Sequence, residues 1–294
     1  IFEDYYWRIY GSDRLMKLPC LKRVPDYIIG TTQFLREGSA TINFSDTSDK
    51  PGHRSTCVWL YLAGILDRGD LLKLYENFTE HPVDPLEFLF HPVDLCPGEL
   101  ECLPKEMVFR HTGFGVIRSG YTAEDTVFAI KTGESWNHNH LDVGSFILSS
   151  KGKEYIIDSG KCAYSKPLYT SYYRASMAHN VVLLDGKGQR GEMIEYGTKF
   201  MGDIPILLSS PSYRYLLADC TGPYSDVYQR FYRHVLFMDR LILMVDDLFA
   251  NEDGSFEWLL HYKGVAEVHD GRIRIRNEDT LDILNLFPEK KEYS

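Results

Sequence analysis

The chain has 294 residues, of which 44% are hydrophobic and 14% aromatic, enough apolar material for one large or two ordinary folded domains. No apolar run reaches the length that a membrane-spanning helix needs. The formal net charge of −10 argues against nucleic acid as the main partner, because phosphate backbones attract basic surfaces.

Residues 1–105 are predicted to be mainly helical. Residues 58–66 form an apolar run that is typical of a buried helix, and residues 70–78 continue with helical periodicity. Residues 45–52 are rich in turn-forming side chains and are predicted to be a loop. Pro97, Gly98 and Pro104 then mark a change of domain.

From residue 106 onward the apolar residues recur with a period of two, which is typical of strands. The strand candidates are separated mostly by glycine and aspartate: 115–118, 126–131, 144–149, 154–157, 180–184, 213–218, 229–237, 240–245, 256–261 and 272–276. Many short strands with hardly any helix between them predict an antiparallel β-sandwich. We therefore divide the chain into a helical part, residues 1–105, and a β-sandwich, residues 106–294.

Polar side chains with metal or acid–base chemistry cluster near three of these strands. His138, His140 and Asp142 stand at alternate positions before an apolar run, so in an extended chain they would share one face. Asp158 follows the next run, and His179 precedes the one after it. Histidine and aspartate are suitable ligands for a zinc-like ion, so His140, Asp158 and His179 are candidates to converge on one metal.

The negative total charge conceals a basic region beside these residues. Residues 151–200 carry eight lysines or arginines against five acidic residues, a balance that suits an anionic substrate. Arg174 follows the aromatic pair Tyr172-Tyr173 and could clamp a carboxylate or a sulfate in a bidentate manner. The alternative interpretation is an ordinary solvated surface with an uneven charge distribution.

Three sequence blocks, taken in this order, resemble the heparinase II/III family of polysaccharide lyases. They are NHNHLDVGSF from residue 137, IDSG from residue 157, and Arg174 followed by AHNVVLLDG from residue 178. The resemblance is close over residues 105–190 and looser elsewhere. It implies the C-terminal part of an incomplete α/α toroid followed by an antiparallel β-sandwich, with an active site between them. The earlier helices of the toroid, and the end of the sandwich, would then lie outside this chain.

The resemblance also implies roles for individual residues in the β part. His138 matches a catalytic histidine, whereas His140, Asp158 and His179 match the ligands of a divalent metal. We expect this metal to be Zn²⁺ and to have a structural role, because it would tie three strand ends together.

A catalytic tyrosine is implied for the helical part. Residues 2–11, FEDYYWRIYG, are similar to the toroid segment that carries this tyrosine in the family. Tyr6 is the best match, but the spacing is one residue longer than usual, so Tyr5 and Tyr10 remain alternatives. We expect the Tyr6 hydroxyl and the His138 ring to open on the same cleft.

The implied activity is the β-elimination of a uronic-acid-containing polysaccharide or oligosaccharide, similar to a glycosaminoglycan or an alginate. One alternative is a uronate C5-epimerase, which would abstract the same proton and return it. Another is a non-catalytic carbohydrate-binding sandwich that kept its metal site. The presence of His138 together with the Tyr6-Trp7 pair favours an enzyme, because a structural relic would need only the three ligands.

Overall fold

The computed structural model describes residues 9–11, 17–36, 38–47, 56–78, 85–134, 140–191, 199–238 and 240–286. The chain forms two compact units: residues 1–32 with 52–104, and residues 33–51 with 105–294. Among the described residues, no helix combines the length and the apolar character that crossing a membrane requires.

The first unit is built from helices. They are α1 (Pro19–Gly30), α2 (Thr56–Leu66), α3 (Gly69–Phe78) and α4 (Pro85–Phe90), and a 3₁₀ turn follows at Leu100–Cys102. Leu60, Leu71 and Leu74 are completely buried and belong to the core of this unit. Asp70 stands in the first turn of α3, where its carboxylate accepts a hydrogen bond from the Leu71 amide at 2.9 Å and favours the start of the helix.

The second unit is built almost entirely from strands. They are β1 (Thr32–Leu35), β2 (Gly38–Thr41), β3 (Glu106–Phe109), β4 (Phe114–Arg118), β5 (Val127–Lys131), β6 (Phe146–Ser150), β7 (Lys153–Ile156), β8 (Val182–Leu184), β9 (Asp203–Ser209), β10 (Arg214–Asp219), β11 (Tyr228–Met238), β12 (Leu241–Ala250), β13 (Phe256–Trp258), β14 (Val265–His269), β15 (Arg272–Asn277) and β16 (Asp279–Leu284). Strands β3 to β16 pair in antiparallel fashion throughout the described part of the chain, as the sequence predicts.

The strands form five sheets. A five-stranded sheet has the order β3-β4-β5-β6-β7, a four-stranded sheet the order β12-β11-β10-β9, and a three-stranded sheet the order β14-β15-β16. Two further pairs, β1-β2 and β8-β13, complete the described set. The candidate ligands lie close to strand ends: His140 precedes β6, Asp158 follows β7, and His179 precedes β8.

The five-stranded sheet is covered on both faces, and β5 shows how. Side chains alternate along a strand, so Phe128 and Ile130 point into the main core, which also contains residues of β10 and β11. Val127 and Ala129 point to the other face, where they form a second core with a segment that includes Phe44. This double coverage explains why all five residues of β5 are buried.

Residues 1–105 were expected to be mainly helical; they contain the four helices of the first unit, and the short strands β1 and β2 also lie within this range. One strand boundary needs correction. Strand β6 begins at Phe146 rather than at residue 144, because Gly144 has a φ of +88° and turns the chain.

Candidate metal centre

The structure brings His140, Asp158 and His179 together. One potential ligand atom from each lies within 4.8 Å of those from the others, and all three side chains are buried. His140 lies in the loop before β6, Asp158 lies two residues after β7, and His179 directly follows a short 3₁₀ turn at Ser176–Ala178. The second unit therefore gathers the predicted ligands from three separate segments.

Their hydrogen bonds leave several ring nitrogens without partners. Nδ1 and Nε2 of His140 and Nε2 of His179 are buried and have no hydrogen-bond partner in the described part of the chain. The other ring nitrogen of His179, Nδ1, donates to Oδ2 of Asp158 at 2.7 Å, and the Gly160 amide donates to Oδ1 at 3.0 Å. Buried polar atoms are nearly always satisfied, so nitrogens left in this state fit a bound cation. Two imidazoles and a carboxylate are a donor set that suits a divalent metal.

The two histidines differ in their affinity for protons. Burial lowers the pKa of His140 to about 4, so its imidazole is neutral at pH 7 and has a lone pair for a metal. Burial alone would lower the pKa of His179 as well. The negative charge of Asp158 and the hydrogen bond to this carboxylate outweigh burial, and the pKa of His179 is raised. A metal that binds His179 must therefore compete with a proton more strongly than one that binds His140.

The segment that carries His140 is a loop, not a strand. Residues 140–145 contain a turn, so the expected strand alternation of His140 and Asp142 on one face does not apply here, and that expectation is wrong. Asp142 is not part of the ligand group. Its carboxylate instead pairs with Nζ of Lys131 and accepts a hydrogen bond from the Ser45 hydroxyl at 2.5 Å.

A polar cluster lies beside the His140 loop and consists of the buried Asp142 and Lys131 and the half-buried Ser45. Asp142 stands two residues after His140. The Asp142 side chain is completely buried and that of Lys131 is 7% exposed, and Lys131 Nζ also donates to Ser45 Oγ at 2.6 Å. Burial would raise the pKa of Asp142, but the Lys131 charge, with the charge of His179 and the hydrogen bonds, lowers it instead. Asp142 is therefore ionised at neutral pH, and the ion pair fixes the loop to β5.

Further hydrogen bonds hold the main chain of this loop. The Leu141 amide donates to the Arg174 carbonyl at 2.8 Å, and the Ser176 hydroxyl donates to the Leu141 carbonyl at 2.7 Å. Two residues further on, the Val143 amide donates to Gln189 Oε1 at 3.0 Å, and the Val143 carbonyl accepts a hydrogen bond from the Tyr224 hydroxyl at 2.8 Å. Because these contacts come from several parts of the chain, His140 has a defined position.

An aromatic segment lies beside the ligands and was missed in the sequence. The Tyr169 ring packs edge-on against the His140 ring at 6.0 Å, and the Tyr164 ring packs against Tyr169 at 4.7 Å. The hydrogen bond that Tyr164 donates to Asp46 raises the pKa of the Tyr164 hydroxyl to about 12. Four tyrosines between the second and third sequence blocks were the available signal.

The remaining predicted site residues have different outcomes. Arg174 is half-buried and donates from Nη2 to the Gly191 carbonyl at 2.8 Å, next to the His140 loop. Its binding of a substrate anion stays a prediction. His138, Tyr5 and Tyr6 lie outside the described residues. Tyr10 is described, and 68% of its surface is exposed.

Comparison with solved structures shows the fold. The chain matches a heparinase III gene product with methylated lysines at 18% identity and a TM-score of 0.71, over 96% of this chain and 41% of that one. It matches the heparan sulfate lyase HepC from Pedobacter heparinus at 17% identity and a TM-score of 0.72, over 98% of this chain and 44% of that one. A second heparinase III structure matches at 15% identity and a TM-score of 0.69, over 92% of this chain and 42% of that one. The chain thus spans less than half the length of these solved chains.

Sequence comparison identifies the family. Among curated proteins, none matches this sequence. Residues 103–290 match the family model described as heparinase II/III-like, C-terminal. This match contains the three candidate ligands and covers more than half of the chain, and so the protein belongs to the heparinase II/III-like family.

Proposed function

We propose that the protein is a polysaccharide lyase that cleaves a uronic-acid-containing polysaccharide or oligosaccharide by β-elimination. The observation that carries this proposal is the buried group of His140, Asp158 and His179, with its unpaired ring nitrogens, in a member of this family. The solved structures with the same fold include a heparan sulfate lyase, which supports an anionic polysaccharide as the substrate class.

The domain organisation belongs to the same proposal. Residues 1–105, apart from the segment 33–51 that belongs to the second unit, are the end of an α/α toroid, and residues 106–294 are an antiparallel β-sandwich. Two observations support this: the first unit is helical, and residues of the five-stranded and four-stranded sheets share one core. The solved relatives are more than twice as long as this chain, which leaves room for the earlier helices of a toroid.

The chemistry requires a base and an acid near a neutralised carboxylate. The base removes the C5 proton of the uronic acid, the bond between C4 and its oxygen breaks, and a C4–C5 double bond forms while the leaving oxygen gains a proton. His138 and Tyr6 supply the two proton-transfer groups in this proposal. A neutral imidazole with a pKa near 6.5 suits proton transfer close to neutral pH.

The metal has a structural role in this proposal, and we assign it as zinc. When bound, a zinc ion supplies charge and coordination bonds that link the three segments ending in His140, Asp158 and His179. The chain itself then keeps the loop that begins at His140 in place, through Lys131, Ser176 and the other contacts described above.

Substrate binding is assigned to the basic and aromatic segment that runs from the end of the second block to Arg174, the first residue of the third. Arg174 is the candidate for the carboxylate or sulfate, and its main-chain carbonyl accepts the Leu141 amide, so it lies next to the His140 loop. Tyr169, which is half-exposed and packs edge-on against His140, is the candidate for contact with a sugar ring.

Metal content tests the ligand assignment. The variants His140→Ala, Asp158→Ala and His179→Ala should each lose bound zinc, measured by elemental analysis of the purified protein. His234→Ala is the matched control, because this half-buried histidine bonds to Tyr215 and is not part of the ligand group. Unchanged zinc content in all three ligand variants would show the assignment to be wrong.

Activity tests the reaction. The full-length protein should raise the ultraviolet absorbance of uronate polymers as the unsaturated product forms, and His138→Ala should abolish this rise without loss of zinc. Exchange of the C5 hydrogen with deuterated water, with no rise in absorbance, would indicate an epimerase instead. Binding of the polymer with neither change would indicate a carbohydrate-binding protein.

A further inference from the structure

The side-chain amide of Asn180 touches the main chain of several segments around the metal centre. Asn180 directly follows His179 and is completely buried. Its Nδ2 donates to the carbonyl of Phe146 at 2.7 Å and to the carbonyl of Ile157 at 2.8 Å. Ile157 is the residue before Asp158, and Phe146 begins the strand that follows the His140 loop. One amide group thus connects all three ligand-bearing segments.

The acceptor side of the same amide is also in use. Oδ1 of Asn180 accepts a hydrogen bond from the His261 amide at 2.6 Å and lies 3.2 Å from the ring nitrogen Nδ1 of His261. Because carbonyls can only accept and the His261 amide can only donate, these partners fix which end of the Asn180 side chain is nitrogen. No part of this amide remains to bind an ion.

Arg233 joins the same network from strand β11. It is completely buried, and its Nη1 donates to the carbonyl of Gly144 and, at 2.8 Å, to the carbonyl of Asn180. Its Nε and Nη2 form a bidentate pair with Asp246, at 2.7 and 2.9 Å. A guanidinium stays charged in proteins and has a planar fork of donors, so this single group fixes the distance between the two carbonyls.

The position of these carbonyls relative to the ligands matters. Gly144 lies four residues after His140 in the same loop, and Asn180 lies one residue after His179. Arg233 therefore links the two histidine segments, while the Asn180 amide adds the Asp158 segment. Neither side chain is among the candidate ligands.

We propose that Asn180 and Arg233 are positioning residues that hold His140, Asp158 and His179 at the right spacing before the ion binds. This inference rests on the metal site of the proposed function. Groups that orient metal ligands from behind typically change metal affinity by about 10–100-fold when they are altered.

The Asn180→Asp variant tests the inference. It has nearly the same shape as the wild type, but a carboxylate oxygen then faces the carbonyls of Phe146 and Ile157 in place of two N–H donors. Asn277→Asp is the matched control, because Asn277 Nδ2 also donates to a strand carbonyl, that of Glu154 at 2.9 Å, away from the ligands. The experiment strips metal from each protein, then measures the zinc dissociation constant by competition with a chromophoric chelator and the melting temperature without metal.

The expected result is zinc binding about 10–100-fold weaker in Asn180→Asp than in the wild type, with wild-type affinity in Asn277→Asp. A purely structural role would lower the melting temperature of the metal-free protein but leave the affinity of the folded protein unchanged, and that result would overturn the inference. If Asn180→Asp does not fold, the Arg233→Lys variant provides the test. It keeps a positive charge opposite Asp246 but lacks the planar set of guanidinium donors that reaches the two carbonyls. Wild-type affinity in folded Arg233→Lys overturns the inference, and weaker zinc binding supports it.

The zinc affinity of the wild type distinguishes failure of the positioning inference from failure of the proposed metal site. A wild-type chain that binds no zinc refutes the metal site of the proposed function, and the positioning inference with it. If the wild type binds zinc, and the folded Asn180→Asp and Arg233→Lys variants bind it equally tightly, the positioning inference alone is refuted.

Discussion

Replacement of Lys131 by methionine should strongly destabilise the second unit. The substitution keeps the long, unbranched shape of the side chain but removes the cation that faces Asp142. Asp142 is completely buried, so its carboxylate would lose the charge that compensates its burial and keep the hydrogen bond from Ser45. The ion pair also fixes the His140 loop to β5, so the perturbation acts beside the candidate metal centre.

The magnitude follows from the burial of both partners. Removing one member of a buried ion pair typically costs about 3–5 kcal/mol, because the other charge is left without compensation. Replacing both members by apolar residues of similar volume is often close to neutral. The double variant Lys131→Met/Asp142→Leu should therefore recover much of the stability that Lys131→Met loses.

Urea unfolding at pH 7, followed by fluorescence and circular dichroism, measures this loss. Lys151→Met is the matched control, since Lys151 pairs with Asp279 at the surface with side chains 46% and 41% exposed, and exposed pairs contribute little. The difference in the free energy of unfolding between the wild type and Lys131→Met should become smaller as the pH falls, because protonation of Asp142 removes the unpaired charge. The wild type, in contrast, should lose stability as the pH falls. The lowered pKa of Asp142 stabilises the fold above the unfolded-state pKa of this carboxyl, and this contribution disappears as the pH falls through the folded-state pKa. Equal small losses for Lys131→Met and Lys151→Met would refute the reasoning.

Three further predictions concern the core, the loop and the metal. Leu216→Ala should lower the free energy of unfolding by about 2–5 kcal/mol, because Leu216 is fully buried between sheets, whereas Leu208→Ala, at a site 54% exposed, should change it little in the same denaturation assay. Tyr224→Phe should destabilise by about 1–3 kcal/mol, because it leaves the buried Val143 carbonyl without its hydrogen bond; an unchanged denaturation midpoint would contradict this. Zinc binding near pH 7 should release protons, because the raised pKa of His179 increases the fraction of the ring that carries a proton, and the metal must displace that proton. Calorimetry in buffers of different ionisation enthalpy would detect the release, and heats of binding that do not depend on the buffer would speak against it.

The positions of most strands in the β part were predictable, because most of these strands have an apolar residue at every second position. The structure adds β1, β2, β3, β9, β14 and β16, which were not predicted. Strands β1 and β2 have four residues each, too few for a period to be recognised. Strand β9 contains Pro205 and forms an edge of its sheet, which is where proline is tolerated but where it also weakens the sequence signal.

The candidate ligands were predictable for a different reason. His140, Asp158 and His179 are chemically distinctive and flank apolar runs, so local sequence pointed to them. Their supporting residues are ordinary in sequence: Lys131 ends a strand, and Arg233 lies in the middle of another. Only contacts between distant parts of the chain reveal that Lys131 faces Asp142 or that Arg233 reaches Gly144 and Asn180. Asn180 was quoted within a motif, but its sequence neighbours do not show which carbonyls it binds.

The discontinuity of the second unit has a practical consequence. Residues 33–51 belong to this unit, yet the helices of residues 52–104 intervene before the rest of it, so the helical segment is formally an insertion. The segment around Phe44 covers one face of the five-stranded sheet, and Ser45 reaches Asp142. An expression boundary drawn at residue 103, where the family match begins, would omit both. A recombinant β-domain cut there would expose Val116, Val127, Ala129 and Ile147 to solvent and should be prone to self-association. During translation, residues 33–51 leave the ribosome early and must await strands that follow more than fifty residues later.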